Sequence, residues 1–352
     1  MANTHLIFLV HGMGDFAPGW SRSAQQVLQD QYATYKQLKQ ISFGKRFEFV
    51  EILYNDEFEA LRTMWRDMNK ALGDALVGLG GGQVGKTDED LKVVRKLNEA
   101  AGVTSKDRFL TTHVVDVLLY YAARQTAATV RESVRKQIFT ALKKQVADGG
   151  VVRWSVIAHS LGTAVTHDAL HEAFSDEPTE FGEKLAGIAP ATCVEWDIDV
   201  YLSRTRPGNP DDPDAACHTF INAHNTFDPF TQPKAFRPAA QWPSIGVRAQ
   251  GLFQDIETRE IEAPEKVHDF DHYLRNPAVH APLFNAMLGM KVLDDLTISD
   301  AHAQYVTHTP LGSFGAFVGA LKQFQLGEED SWAKVFSTWA NFRAMLPKDL
   351  PL

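Results

Sequence analysis

Apolar and polar positions follow two different periods near the start of this chain, and the periods alternate. An apolar run from His5 to Val10 and an alternating run from Phe47 to Tyr54 each predict a β-strand. The helical spacing of Pro18 to Leu38 predicts a helix between them. Two strands joined by a helix run parallel in a βαβ unit, so this order favours an α/β protein with a mostly parallel sheet.

The later half of the chain repeats this alternation. Helical spacing over Leu161–Phe174 and Ala278–Met290 predicts two further helices of the core. The segments with the length and pattern of strands are Trp154–Ala158, Asp197–Ser203, Cys217–Ala223 and Asp255–Glu262. The sequence therefore predicts a sheet of about six strands with helices on both faces, which the chain's 352 residues can accommodate together with an insertion.

The segment from Glu57 to Gln145 has helical periodicity almost throughout. A doubly wound sheet needs only one helix between two strands, so this segment contains more helix than the sheet requires. We predict a core of residues 1–56 and 148–295, a helical insertion at 57–147 and a C-terminal helical extension at 296–352. The insertion is interpreted as a lid over one edge of the sheet, with a helical buttress beside the sheet as the alternative.

A serine stands where the strand Trp154–Ala158 gives way directly to a helix. In a nucleophile elbow, a sharp strand-to-helix turn exposes a serine Oγ above the carboxyl edge of a parallel sheet. The residues two positions before and after the serine must be small, because strand and helix backbones nearly touch there. Gly162 meets this requirement, and Ala158 adds one methyl group to the usual glycine. The alternative is that Ser160 only caps a helix.

A glycine-rich turn follows the first predicted strand. A strand that ends in His-Gly-x-Gly supplies backbone N–H groups to the oxyanion hole of lipases and esterases. Here His11, Gly12, Met13 and Gly14 form that pattern, and the two glycines allow the Met13 N–H to face a developing negative charge. The alternative is a glycine-rich turn without such a role.

A candidate acid follows the second strand after the elbow. Asp228 comes just past the predicted strand Cys217–Ala223, and the proline after it stiffens the turn. Asp197 and Asp199 are the rival carboxylates, but the predicted pattern places them at the start of a strand and therefore at the opposite edge of the sheet.

Two histidines are candidate bases in the segment after the last predicted strand. His268 and His272 both lie between that strand and the next helix, and we favour His268 because its context is more loop-like. Their spacing of four residues also suits two ligands of a metal ion, but the sequence offers no obvious third ligand. A third alternative is an exposed histidine at the end of a helix.

In their order along the chain, these four features resemble the α/β-hydrolase superfamily, and in particular its lid-bearing esterases and lipases. The resemblance covers about residues 5–54 and 150–290 and follows the family order of serine, aspartate and histidine. It implies a triad of Ser160, Asp228 and His268, with His272 as the alternative base.

The same resemblance implies how a substrate is held and cleaved. The N–H groups of Met13 and Leu161 are expected to form the oxyanion hole. The residues expected to contact the substrate are His11, Gly12, Gly14, His159, Met64 and Trp65. The expected reaction is hydrolysis of a small-molecule carboxylic ester through an acyl-enzyme, without a cofactor or a metal ion. The alternatives are a thioesterase or acyltransferase with the same triad, and a non-catalytic hydrolase-like binding protein.

A second motif within the predicted insertion points to another chemistry. The sequence Gly80–Thr87 fits the phosphate-binding pattern G-x-x-x-x-G-K-T. That loop must follow a buried strand, whereas the residues before it have helical spacing, and the acidic residues 88–90 beside it repel phosphate. Thr87 with Asp90 instead predicts a helix cap, and we interpret the glycines as a loop of the lid.

Charge and cysteine content narrow the choice of partners. The net charge is −9 and the pI is about 5.8, without a visible basic cluster, so nucleic acid and anionic membranes are poor candidates. Cys193 and Cys217 are too few for a disulfide framework, and no apolar run is long enough to span a bilayer. The opening strand lacks the basic leader and cleavage site of a signal peptide, so we expect a cytoplasmic protein. The C-terminal helices are candidates for a homodimer contact.

Overall fold

The computed structural model describes residues 5–12, 14, 16–58, 124–147, 153–175, 191–196, 217–228, 253–262 and 267–309. The strands within these ranges are β1 His5–Val10, β2 Phe47–Ile52, β3 Arg153–Ala158, β4 Ala191–Trp196, β5 Cys217–Asn225 and β6 Phe253–Thr258. The α-helices are α1 Arg22–Thr34, α2 Phe43–Arg46, α3 Arg124–Ala147, α4 Leu161–Ser175, α5 Phe270–Arg275, α6 Pro277–Leu288 and α7 Asp295–His308.

The strands form a parallel sheet in the order β2-β1-β3-β4-β5-β6. The chain begins in β1, moves to one side to form β2, and then crosses to the other side of β1 to form β3. In open α/β sheets, ligands bind at the carboxyl edge where the strand order reverses in this way. The prediction of an α/β protein with a parallel sheet is confirmed, and the topology places the crevice between β1 and β3.

Helices cover both faces of the sheet because the central strands are apolar on both faces. All residues of β1 are buried, as expected of a parallel strand between two helical layers. Leu6, Phe8 and Val10 pack in a core with α3 and α4. Ile7 and Leu9 point to the opposite face and pack with α1 and α6. Alternating side chains of one strand therefore join the sheet to two separate cores.

The last part of the predicted insertion, residues 124–147, lies in one of these helical layers. Helix α3 contains 24 residues and lies between β2 and β3 along the chain. It packs its apolar face, including Val134 and Ile138, in the core that also contains Phe8. Residues 124–147 of the predicted insertion therefore pack against the sheet. The rest of the predicted lid, at 59–123, lies outside the described residues, and with it lie Met64, Trp65 and Gly80–Thr87.

Several strand bounds differ from the sequence-based expectations. Strand β2 ends at Ile52, and β6 is Phe253–Thr258 rather than Asp255–Glu262. The pattern did not predict β4, and the strand that it predicted at Asp197–Ser203 lies outside the described residues. Most of the C-terminal extension, from residue 310 onward, also lies outside them. Among the described helices, none has the length and apolar character needed to cross a membrane.

Stability depends on pH through buried histidines, of which His5, His11 and His280 are three. Burial lowers the pKa of His5 to about 3, and it lowers the pKa values of His11 and His280 to about 4. All three side chains are nearly inaccessible to solvent. In the unfolded chain each imidazole regains its ordinary pKa of about 6.5. Below that pH the unfolded state binds more protons than the folded state, so stability decreases as the pH falls.

We expect the free energy of unfolding in urea to decrease between pH 7 and pH 5. The slope should approach about 1.4 kcal/mol per pH unit for each of the three histidines near pH 5. Ordinary carboxyl groups titrate mainly below this range, so they contribute little to it. The variant His280→Gln removes one titrating group and should reduce the slope. A free energy of unfolding that is constant between pH 7 and pH 5 contradicts the assignment.

Candidate active site

The candidate site residues lie at the carboxyl edge of the sheet. Ser160 follows the end of β3 by two residues, and His11 and Gly12 follow β1 directly. Asp228 lies three residues past the end of β5, and His268 lies between β6 and α5. Parallel strands end at one common edge, so segments that are far apart in sequence meet there.

Ser160 occupies a strained backbone position. Its φ is 56°, the only positive φ of a non-glycine residue in the described part of the chain. The turn around it is closed by hydrogen bonds: Gly162 N–H donates to the His159 carbonyl at 2.9 Å, and Thr163 Oγ1 donates to the Ser160 carbonyl at 2.7 Å. These bonds hold the serine in a left-handed conformation between a strand and a helix, as an elbow requires.

The loops after β1 and β3 are in backbone contact. A Cβ atom added at Gly162 would lie 2.1 Å from the His11 carbonyl oxygen. One added at Gly12 would lie 2.5 Å from the Cβ of Ser160 and 3.0 Å from its Oγ. Only glycine fits at either position, so the need for a small residue after Ser160 comes from the loop that follows β1.

A line of hydrogen bonds joins the serine to a buried carboxylate. The Ser160 hydroxyl lies 3.0 Å from Nε2 of His268 and is placed to donate to it. On the other side of the ring, Nδ1–H of His268 donates to Oδ2 of Asp228 at 2.7 Å. Asp228 is inaccessible to solvent, whereas the His268 side chain is 16% exposed. This arrangement can deprotonate the serine and stabilise the resulting imidazolium ion.

Further hydrogen bonds fix the turn that carries Asp228. Its backbone N–H donates to the carbonyl of Asn225 at 3.0 Å, and the Asn225 side chain accepts the N–H of Phe227 at 2.9 Å. The Tyr273 hydroxyl donates to Oδ2 of Asp228 at 3.0 Å. Sequence reasoning missed both Asn225 and Tyr273. The Asn225 turn could have been found from its side chain, because asparagine often closes such a turn onto the backbone two residues later.

The exclusion of the rival carboxylates from sequence depended on a predicted strand that lies outside the described residues. The described strand β4 ends at Trp196, just before that segment of the chain. Asp197 and Asp199 themselves lie outside the described residues. The carboxylate that the structure brings to His268 is that of Asp228.

His272 has a structural partner instead of the serine. It is 3% exposed, and its Nε2–H donates to the backbone carbonyl of Glu260 at 3.0 Å. Burial lowers the pKa of His272, so the ring is neutral near pH 7. The two histidines therefore face different groups and do not converge on a shared ion. In the described ranges, no three histidine, cysteine, aspartate or glutamate side chains form a group that could hold a metal ion.

His11 supports the loop after β1 from inside the protein. The ring is 1% exposed and stacks on Tyr54, with 4.1 Å between the ring centroids. Its Nδ1–H donates to the Gly12 carbonyl at 2.8 Å, and its Nε2 accepts the Tyr54 N–H at 3.3 Å. The ring is enclosed by protein groups and fixes the backbone of Gly12, and the expected contact of His11 with a substrate stays a prediction.

His159 borders the other side of the candidate base. Its ring stacks on Phe270 with 5.1 Å between centroids and lies 4.8 Å from the ring of His268. Desolvation, followed by the nearby charge of His268, lowers the pKa of His159 to about 3, so this ring is neutral. A neutral neighbour does not repel the proton that His268 must accept. Gly14, with a φ of 126°, is described, whereas Met13 before it lies outside the described residues.

A surface cavity of about 740 Å³ is separate from these groups. It lies along β2 and is bordered by the start of α1 and the end of α3. None of the candidate site residues that the structure describes lines it, so it is not part of the described arrangement around Ser160.

Comparisons with known proteins assign no function to this protein. The sequence matches no protein-family model, and no curated protein is significantly similar to it. The chemistry of the site therefore has to be inferred from its distances, burial and hydrogen bonds.

We expect Gly162→Ala to lower the free energy of unfolding by at least about 2 kcal/mol, because its methyl group overlaps the His11 carbonyl. Urea unfolding measures this loss. The matched control is Gly44→Ala, since a Cβ atom at Gly44 meets nothing within 4 Å. That helical position should keep or slightly raise the stability. Equal stability of the two variants contradicts the described contact between the loops.

Proposed function

We propose that this protein is a serine hydrolase of the α/β-hydrolase fold, with a sheet reduced to about six strands, which cleaves carboxylic esters. The observation that carries the proposal is the line of hydrogen bonds from Ser160 through His268 to Asp228. It lies at the reversal of strand order and begins at a serine with strained backbone geometry. The small number of cysteines supports a cytoplasmic location, and the acidic net charge argues against nucleic acid and anionic membranes as partners.

In the proposed reaction, Ser160 Oγ attacks the ester carbonyl carbon while its proton moves to Nε2 of His268. The carbonyl electron pair moves to the oxygen, and the buried Asp228 carboxylate stabilises the imidazolium ion. The C–O bond to the alcohol then breaks, and the leaving oxygen takes the proton from Nε2. Water attacks the resulting acyl-enzyme with His268 again as base, and the products are the acid and free Ser160.

Two N–H groups are proposed to receive the oxyanion. Leu161 is the first residue of α4, and the first N–H groups of a helix have no partner within it. The carbonyl of Gly12 is held by His11 and lies 3.1 Å from the Tyr54 hydroxyl. In a trans peptide the N–H points away from the C=O, which supports the N–H of Met13 as the second donor.

The alternative functions differ from ester hydrolysis in the bond that is cleaved, in the acyl acceptor, or in the absence of a reaction. A thioesterase or acyltransferase uses the same triad but prefers a thioester, or an acceptor other than water. A hydrolase-like binding protein forms no acyl-enzyme. A nitrophenyl acyl ester separates all of these enzymes from the binding protein, because only a protein with a reactive serine gives a burst of nitrophenol followed by turnover. Comparing turnover of matched esters and thioesters, with and without an added acyl acceptor, then separates the enzymes from one another.

We expect Ser160→Ala to reduce hydrolysis of a short-chain nitrophenyl ester by about 10⁵-fold or more, because the nucleophile is lost. Its melting temperature should remain close to that of the parent protein. A fluorophosphonate probe should modify Ser160 alone, as mapped by mass spectrometry. The control Ser42→Ala changes an exposed serine whose side chain caps nothing, and it should retain activity and labelling. Modification of a different serine excludes the proposed nucleophile.

We expect the two histidines to differ in the same assay. His268→Ala should fall to the level of Ser160→Ala, because it removes the group bonded to the serine hydroxyl. His272→Ala should retain a clear fraction of the activity and should melt at a lower temperature, because the Glu260 carbonyl loses one of its two side-chain donors. The opposite ranking would assign the base to His272, and equal small losses would exclude this mechanism.

A further inference from the structure

We propose that Tyr273 is a positioning residue that sets both the place and the charge of Asp228, and thereby the basicity of His268. This inference rests on the proposed function. It concerns a buried residue whose hydroxyl donates to the carboxylate of Asp228, and the proposed role is exerted through that carboxylate.

The hydroxyl of Tyr273 and the imidazole of His268 share one oxygen atom. The tyrosine hydroxyl donates to Oδ2 of Asp228 at 3.0 Å, and Nδ1–H of His268 donates to the same oxygen at 2.7 Å. Tyr273 is 1% exposed and Asp228 is 0% exposed, so water does not compete for this oxygen. Hydrogen bonds to a charged group in a buried environment are the strong ones.

The tyrosine oxygen is itself held by the sheet. The backbone N–H of Asn225, the last residue of β5, donates to it at 3.1 Å. An oxygen that accepts one hydrogen bond becomes a better donor of the next, so this contact strengthens the bond to Asp228. A continuous chain of hydrogen bonds thus runs from the backbone of β5 to Ser160.

Tyr273 also fixes the position of the acid, Asp228, relative to the base, His268. It lies in α5, five residues after His268, and its backbone N–H donates to the Asp269 carbonyl at 3.4 Å. The segment that carries the base is therefore attached, through the Tyr273 hydroxyl, to the turn that carries the acid. If this attachment is lost, the separation of Asp228 and His268 is less well defined, and the rate depends on such geometry.

The electrostatic consequence has a definite sign. The hydrogen bond from Tyr273 disperses part of the negative charge on Oδ2. Without it, more of that charge acts on the Nδ1–H of His268 and stabilises the imidazolium form. The pKa that controls the acidic limb of kcat/KM should then move upward.

The test is the variant Tyr273→Phe, which keeps the ring and removes only the hydroxyl group. We expect kcat/KM for a nitrophenyl ester to fall roughly 3- to 30-fold through kcat, with KM nearly unchanged. We also expect the acidic limb of the pH profile to move to higher pH by a few tenths of a unit. The matched control is Tyr35→Phe. Tyr35 is also buried, and its hydroxyl lies 2.8 Å from Nε2 of His280 rather than near a site residue, so its loss should leave the profile unchanged.

A second measurement does not depend on turnover. In protein labelled with ¹⁵N-histidine, the proton on Nδ1 of His268 should resonate further downfield in Tyr273→Phe than in the parent protein, because its bond to Asp228 becomes stronger. An unchanged resonance and an unchanged pH profile overturn the role of Tyr273 while the enzyme stays active. Failure of the proposed function is a different result: no hydrolysis and no labelled Ser160, with the shift of the resonance still present.

Discussion

The backbone contact between the loops after β1 and β3 is the constraint on which the site depends. The carbonyl of His11 lies against Gly162, and Gly12 lies against Ser160, with room for hydrogen atoms only. These loops meet because β1 and β3 are neighbours in the sheet although most of the first half of the chain separates them. The alternating side chains of β1 are buried in the two cores and thereby hold β1 in its place in the sheet. The position of Ser160 therefore follows from the packing of those cores.

Polar groups behind the serine are organised by the same edge of the sheet. The Glu260 carbonyl accepts hydrogen bonds from Asn225 and His272, which joins the end of β5 to α5. Buried donors and acceptors must be paired, so this network leaves little freedom in the turn that presents Asp228. The neutral ring of His159 lies against His268 without adding positive charge beside it.

The sequence predicts the parts of this arrangement that depend on local pattern. The strand His5–Val10 and the small residues around Ser160 follow from periodicity and from the close approach of backbones at such a turn. Neighbour relations are harder to predict. The loop-like context of His268 favours it over His272 only slightly, because the difference between them lies in contacts with Ser160 and Glu260. The role of Tyr273 could not be predicted from sequence for the same reason, because its hydrogen-bond partners lie on β5 and on the turn after it.

The side chain of Gln137 has a consequence for association between copies of the chain. Its amide nitrogen donates to the Leu53 carbonyl at 2.6 Å, and its amide oxygen accepts the Leu53 N–H at 3.1 Å. Leu53 directly follows β2, which is the outermost strand on its side of the described sheet. The side chain of Gln137 thus makes the two hydrogen bonds that one residue of an additional strand would make with Leu53. A foreign strand that approaches this end of β2 finds both backbone groups already paired, which protects the sheet from growing by aggregation.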